Sequence, residues 1–320
     1  MRKEFTKLKS LPENAWLYET SNNATKQAIK DACEAYKRYF NGLSGLPRYK
    51  SRKRSRPKFY NDNVKLKYKE GFFLIEKVGW VRISEPERIF TNKFYNPRVS
   101  FDNKYWYISV GVEITKPLVD LTDKTVGIDL GIKNLAVCSN EMTYENVNKR
   151  AGTKKQSKRL RRLQRKLSRK YEKNKQGEEY VKTKNIKKLE KRIKLVHRKI
   201  ANMRLNHIQQ TTAEIVKTKP CRVVVENLNV KGMMRNRHLS KAIAEQGFNI
   251  FKRALAYKCD YYGIIFTEAD KFYPSSKKCC KCGYIKKDLK LSERIYKCPV
   301  CGNEIDRDYQ ASINLAEYPA

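Results

Sequence analysis

Apolar side chains recur three and four apart along residues 22–41, at Ile29, Ala32, Cys33, Tyr36, Tyr39 and Phe40. That spacing predicts an amphipathic helix, capped by Asn22 or Asn23 and stopped between Gly42 and Gly45. From 63 to 115 the period changes to two. Trp106, Ile108, Val110, Val112 and Ile114 alternate with Tyr105, Tyr107, Ser109, Gly111 and Glu113, which predicts a half-buried antiparallel strand. The runs 71–76 and 78–83 read as its partners in a small, barrel-like β unit. Pro117 and the polar stretch after it mark a boundary before 125. From 154 to about 216 helical spacing returns: Ile186, Leu189, Ile193, Val196, Ile200, Met203 and His207 make one seam, and Leu160, Leu163 and Leu167 another. With a turn at 174–178, this predicts an antiparallel helical hairpin, apolar inside and cationic outside. On that seam His207 reads as a packed histidine rather than a ligand.

Charge changes the picture. The 320 residues carry 71 Lys+Arg against 33 Asp+Glu, a formal net charge of +38. Solubility needs a charge of only about 2–8 in a small domain, and further self-repulsion opposes compaction. A polyanion whose condensed counterions are released on binding accounts for it, so the expected partner is nucleic acid. Arg48, Lys50, Arg52, Lys53 and Arg54, in a loop that also holds Tyr49, and Arg159, Arg162, Arg165 and Lys166 on the hairpin are the expected phosphate contacts. No apolar run approaches the roughly 20 residues of a membrane span, and the basic start lacks the apolar stretch of a signal peptide. Nine cysteines, five of them between 279 and 301, suit one metal site in a reducing compartment better than a secreted disulfide framework. The expected location is the cytoplasm.

Two knuckles, Cys279-x2-Cys282 and Cys298-x2-Cys301, stand fifteen residues apart, each followed by glycine (Gly283, Gly302). Four thiolates so spaced close around a structural zinc and leave no position for a catalytic water; Cys280 is the spare thiol. Three further segments each deliver an acid. Thr125-Val126-Gly127-Ile128-Asp129-Leu130-Gly131 is an apolar strand ending in a carboxylate and a glycine turn. Arg222-Val223-Val224-Val225-Glu226 is a β-branched run ending in another, and Asp306-Arg307-Asp308 opens a short terminal helix. An acid at a strand end is usually a solvated turn residue. Three of them, in a chain built to bind phosphates, suit Mg²⁺, which prefers hard oxygen ligands. Two such ions about 4 Å apart serve phosphodiester hydrolysis.

At these residues the chain resembles the TnpB proteins of bacterial insertion sequences, relatives of the type V CRISPR effectors. The stretch "GIDLGIKNLAV" is similar to their first RuvC motif, "VVVENLNVKGM" to their second and "DRDYQASINL" to their third. "DKFYPSSKKCCKCG" with "YKCPVCG" resembles their zinc ribbon, and "GLPRYKSRKR" the end of their recognition lobe. The resemblance implies an α+β chain with an RNase H-like (RuvC) nuclease domain, an inserted basic hairpin and zinc ribbon, a β-barrel wedge and a helical lobe. Its expected layout is a helical remnant at 1–60, the wedge at 61–117 and the nuclease at 118–274 with the hairpin at 150–216. The ribbon follows at 275–303 and the end of the nuclease at 304–320. The resemblance also implies a guide RNA from its own locus, target DNA as partner, and cleavage beside a short flanking motif. Carried over by motif, Asp129, Glu226 and Asp308 are the catalytic, magnesium-holding acids, with Asp306 the runner-up in the third motif.

Two departures stand out. Gln310 occupies a position where the family usually has asparagine, which alters local hydrogen bonding. By the same comparison the sequence begins inside the recognition helices, without the first wedge strand, so the expectation is either a decayed or mis-started copy or a protein working with a reduced lobe. Two other functions compete. Actin-like ATPases share "GIDLG", but they need further glycine-rich loops, which 14 glycines with no later Gly-Gly pair do not supply. A non-cleaving DNA binder that regulates transposition is the other, and the intact set of acids argues against it.

Overall fold

The computed structural model describes residues 2–51, 55–290 and 292–319. Arg52, Lys53 and Arg54 therefore lie outside the described residues. Residues through Ile114 form one compact unit and those from Thr115 a second.

The first unit opens with α1 (Arg2–Lys9), a 3-10 turn (Pro12–Tyr18) and α2 (Asn22–Phe40). The cap of α2 is Ser21, one residue earlier than expected. Its backbone is extended, and its hydroxyl accepts from the amides of Asn23 and Ala24 at 3.1 and 3.3 Å. Six strands follow: β1 (Lys58–Tyr60), β2 (Lys67–Lys69), β3 (Phe72–Ile75), β4 (Gly79–Arg82), β5 (Tyr95–Phe101) and β6 (Trp106–Gly111). They form two three-stranded antiparallel sheets, ordered β1-β5-β6 and β2-β3-β4. The runs 71–76 and 78–83 thus pair with each other, not with β6. The tight turn between them, with Lys77 and Gly79 at positive φ, makes this the pairing with the shortest connection. Leu66, Phe73, Ile75, Phe94 and Val99 make a common core, against which Ile108, Val110 and Val112 are half-buried. Trp106 and Ile114, the ends of the alternating run, are exposed.

The second unit is built on a five-stranded sheet. Its strands are β7 (Thr122–Leu130), β8 (Asn134–Cys138), β9 (Thr143–Glu145), β12 (Pro220–Val225) and β13 (Ile265–Glu268), in the order β13-β12-β7-β8-β9. β7, β12 and β13 run parallel, β8 pairs antiparallel with β7, and β9 pairs antiparallel with β8. Between β9 and β12 stand α3 (Ala151–Lys173), a minimal hairpin of β10 (Lys175–Gln176) and β11 (Glu179–Tyr180), and α4 (Lys184–Lys217). The predicted seam is buried at Ile186, Leu189, Ile193, Val196, Ile200 and His207. The His207 Nε2 lies 2.8 Å from the Glu145 carbonyl, which only accepts, so that nitrogen carries the proton. Desolvation holds its pKa below the usual histidine value. It is a packed, neutral residue. After β12 come α5 (Val230–Met233), α6 (Ser240–Gln246) and α7 (Phe248–Tyr262), and after β13 come β14 (Ile295–Lys297), β15 (Glu304–Asp306) and α8 (Arg307–Ala316).

Alternation along the central strands sorts their side chains between two faces. Val126, Ile128, Leu130, Val223 and Val225 pack with Ile208 and Ile215 of α4 and Phe248, Phe251 and Leu255 of α7. Val224 faces the other way, into a small cluster with Leu315 of α8. Gly127 also belongs to that second face. A Cβ placed there would meet the Ser312 carbonyl oxygen at 2.0 Å and the Ala316 nitrogen at 2.3 Å. The missing side chain lets the backbone of α8 rest directly on β7. Gly127→Ala is therefore expected to destabilise by about 2 kcal/mol or more, since overpacking typically costs 1–3 kcal/mol and neither backbone is free to rotate aside. Urea unfolding measures this, and a loss under about 0.5 kcal/mol would mean that α8 slides without cost.

Candidate active site and metal centre

Asp129 and Glu226 follow from the same alternation. Asp129 stands two residues beyond Gly127, and Glu226 two beyond Val224, so both carboxylates project to the face that α8 covers. The parallel register sets Val225 opposite Ile128, and the Glu226 amide donates to the Ile128 carbonyl at 3.3 Å. The two acids thus leave neighbouring strands side by side and share a hydrogen bond. Burial raises the Asp129 pKa well above the usual carboxylate range. The negative neighbours Glu226 and Asp308 push it further, against a smaller opposing pull from Arg307. Burial likewise pushes Glu226 up to about 7, with the hydrogen bond to Asp129 pulling down and Asp308 pushing up. Burial and mutual repulsion thus oppose ionisation of both acids at once, a cost that a bound cation would relieve.

Asp308, in the first turn of α8, faces this pair closely enough to repel both members. Its own oxygens lie 3.3 Å from Arg307 and 3.9 Å from Arg294. Asp306 has another task. One of its oxygens accepts from the Asp308 and Tyr309 amides, both at 3.0 Å, which makes it the N-cap of α8. Sequence reading passed over two further residues at the site. Gln246 donates to the Gly131 carbonyl at 2.7 Å and pins the turn that follows Asp129. Arg307 is mostly buried beside Asp308. The signal for Arg307 was its place between two acids, whereas Gln246 had none, because it reaches the turn only through the packing of α6. Gln310 is fully buried, and its amide oxygen and nitrogen have no hydrogen-bond partner.

The four predicted cysteines converge. The sulfurs of Cys279, Cys282, Cys298 and Cys301 all lie within 4.8 Å of one another. Cys279 and Cys301 are 3.6 Å apart, and Cys282 and Cys298 3.5 Å. A tetrahedron with metal–sulfur bonds of about 2.3 Å has edges near 3.8 Å, so the donor set fits one metal ion. Gly283 and Gly302 take positive φ after each knuckle. Desolvation opposes ionisation of Cys298, but amides of Cys301 and Val300 outweigh it and bring the thiol down to about 6. Cys280 stays outside the cluster, with its sulfur 3.7 Å from the Asn303 side-chain nitrogen. Tyr296, fully buried, fills the ribbon's centre.

Arg159, Arg162, Arg165 and Lys166 are exposed along α3, while Leu160, Leu163 and Leu167 are half-buried. Arg48 and Lys50 line a groove of about 630 Å³ in the first unit, with Ala28 and Ala32 of α2 on its other wall. The Arg98 guanidinium crosses this groove to Asp31, with contacts of 2.6 and 3.0 Å, and holds that carboxyl down at about 2. No helix among the described residues is long and apolar enough to cross a membrane.

Residues 108–237 match the family model OrfB_IS605, described as "Probable transposase", and residues 248–315 match the Cas12f1-like TNB domain. The chain is 29% identical to "Putative RNA-guided DNA endonuclease InsQ" of Escherichia coli K12, over 96% of this chain and 77% of the relative. It is also 29% identical to a "Putative RNA-guided DNA endonuclease" of Streptomyces pristinaespiralis, over 97% and 74%. Among solved structures, a Cas12f1–sgRNA–target DNA complex matches with a TM-score of 0.58 and 18% identity, over 88% of this chain and 67% of that one. The last likeness is one of mixed α+β fold.

Proposed function

This chain belongs to the TnpB family of insertion-sequence proteins, and on that footing we propose that it is an RNA-guided DNA endonuclease with Asp129, Glu226 and Asp308 as its catalytic acids. The observation that carries the reading is the pair of desolvated carboxylates on adjacent parallel strands, faced by a third on α8. The order β13-β12-β7-β8-β9, with helices on both faces, supports the RNase H-like reading of the second unit. Three hard oxygen donors that oppose one another's ionisation until a cation is bound fit Mg²⁺. When bound, the ions supply the positive charge that activates water and stabilises the leaving oxygen of a phosphodiester. The protein's part is to fix the acids. Gly127 seats α8 on β7, Asp306 caps α8, and Gln246 holds the turn beyond Asp129. The four-sulfur cluster fits zinc, which closes the ribbon and leaves no position open for catalysis.

Exposed cations on α3 and around Arg48 and Lys50 would hold the backbones of guide RNA and target DNA. Affinity for RNA from its own locus is accordingly expected to fall steeply with salt. Neutralising Arg159, Arg162 and Arg165 together should reduce the slope of log K against log salt by about 2–3. Filter binding across a salt series measures this, and an unchanged slope would remove α3 from the interface. The reading as a whole is tested with a plasmid that carries a fixed target beside a randomised flank, and protein co-expressed with RNA from its own locus. Cleavage that requires Mg²⁺ and a particular flank supports it. RNA binding without cleavage would instead make the chain a binder or regulator.

A further inference from the structure

We propose that Phe272 is a stacking site for an unpaired base of the DNA strand that reaches the carboxylates. The inference rests on the nuclease reading for the identity of that strand. It starts from the end of the sheet. Val225 is level with Glu268 on β13 and with Ile128 on β7, and the Ala269 amide donates to the Val225 carbonyl at 2.9 Å. Asp129, Glu226 and Ala269 are therefore level with one another at one edge of the sheet, on three successive strands spaced about 4.8 Å apart. Phe272 follows Ala269 by three residues, which places its Cα within about 11 Å of that edge.

The segment carrying Phe272 is firmly held. The Asp270 amide donates to the Tyr318 hydroxyl at 3.1 Å, and the Phe272 amide donates to an Asp270 carboxylate oxygen at 2.7 Å. The Tyr273 hydroxyl donates to the Asn314 carbonyl of α8 at 2.9 Å, and the Tyr273 and Tyr318 rings meet edge to face at 4.9 Å. Asp270 and Tyr273, on either side of it in this loop, are thus tied down, yet Phe272 itself is 83% exposed. The Lys271 ammonium lies over that ring, 5.2 Å from the centroid. A single exposed apolar residue is ordinary. An aromatic ring held out by a fixed loop, with a cation beside it, at the edge where two buried acids emerge, is a more specific arrangement. Its chemical complement is a planar base with a phosphate attached. Stacking of this kind accepts any base but requires that the base be unpaired.

The test uses the full chain with Asp129→Ala, so that bound strands persist. A single-stranded oligonucleotide containing 5-iododeoxyuridine is bound and irradiated, and the cross-linked peptide is sequenced by mass spectrometry. The expected cross-link lies in the peptide carrying Phe272. Phe272→Leu should lose it and weaken single-strand binding about tenfold, with affinity for blunt duplex changed by less than about twofold, and Phe272→Tyr should keep both. Exposure makes misfolding of either variant a minor concern. Cross-links confined to other peptides, or a Leu variant that binds single strands as tightly as its parent, would overturn the proposal. Neither readout needs turnover. A wild-type protein that cross-links at Phe272 but does not cleave with Mg²⁺ would support the stacking site and remove the nuclease reading.

Discussion

Asp129→Asn is expected to abolish cleavage and at the same time to make the metal-free protein more stable. The two effects have one cause. Asp129 and Glu226 are desolvated acids that share a hydrogen bond and face Asp308, so the folded chain binds protons that the unfolded chain releases. Glu226 illustrates the size: a rise from 4.5 to about 7 corresponds to on the order of 3 kcal/mol. The sign follows from linkage. Below about pH 4.5 both states are protonated and there is no penalty. As pH rises toward 7 the folded state retains the extra protons, and stability falls. Wild type without metal should therefore lose stability across that window, and Mg²⁺ should restore it above pH 7. Asparagine keeps the shape and the hydrogen bond to Glu226 but removes one charge. Its melting temperature without metal should rise by about 3 °C or more, the equivalent of roughly 1 kcal/mol in a chain of this size. Its pH dependence should flatten, and Mg²⁺ should no longer stabilise it. Cleavage should fall by about a thousandfold or more, beyond the 10–100-fold that loss of an outer partner costs. Thermal melts at pH 5 and 8, with and without Mg²⁺, decide the matter. A variant less stable than wild type, with the wild-type pH slope, would mean that the acids are ordinary structural residues.

Cys298→Ser should release the metal and unfold the ribbon while the sheet of the second unit stays folded. Apparent binding free energies of structural zinc sites run to about 10–16 kcal/mol at neutral pH, and the ribbon has little else to order it. Its buried cluster is Cys279, Tyr296 and Cys298, with Leu289 and Ile305 packed alongside. Zinc content should drop from one per chain, and a protease should cut between 275 and 303. Cys280→Ser, outside the cluster, is the control and should keep the metal. Damage should also reach α8, because the Asn314 amide donates to the Ser275 and Lys278 carbonyls at 2.7 and 2.6 Å. Cleavage should fall with the zinc, since α8 carries Asp308. Full zinc occupancy with normal cleavage in Cys298→Ser would show that the ligand set is wrong.

Much of this site was legible in the chain. The two CxxC knuckles were readable because zinc ligation is local within each pair and needs only one closure between them. Asp129 and Glu226 were readable because each ends an apolar run, and such runs report buried strands whatever their partners. The hairpin seam was equally plain at Ile186, Leu189, Ile193, Val196 and Ile200. The choice of Asp308 over Asp306 rested on resemblance. The structure adds a physical reason, since Asp306 is occupied in capping α8. Of the nine candidate phosphate contacts, the six among the described residues are exposed, which is compatible with their role but equally so with a solvated surface.

By itself, then, the amino-acid pattern determined the buried hairpin seam, which acids end strands, where the cysteine knuckles lie, and the cationic excess that points to a polyanionic partner. Only the tertiary structure decided which strand neighbours which. It set β12 against β7, across nearly a hundred residues of intervening chain, so that Glu226 stands beside Asp129. It paired β3 with β4 rather than with β6, and it pressed the backbone of α8 onto Gly127. The physical reason is the same in each case. Periodicity records the burial of a residue's own face, which is a local property. Pairing and register depend on the shape and hydrogen-bonding edge of a distant segment, and no residue encodes that alone.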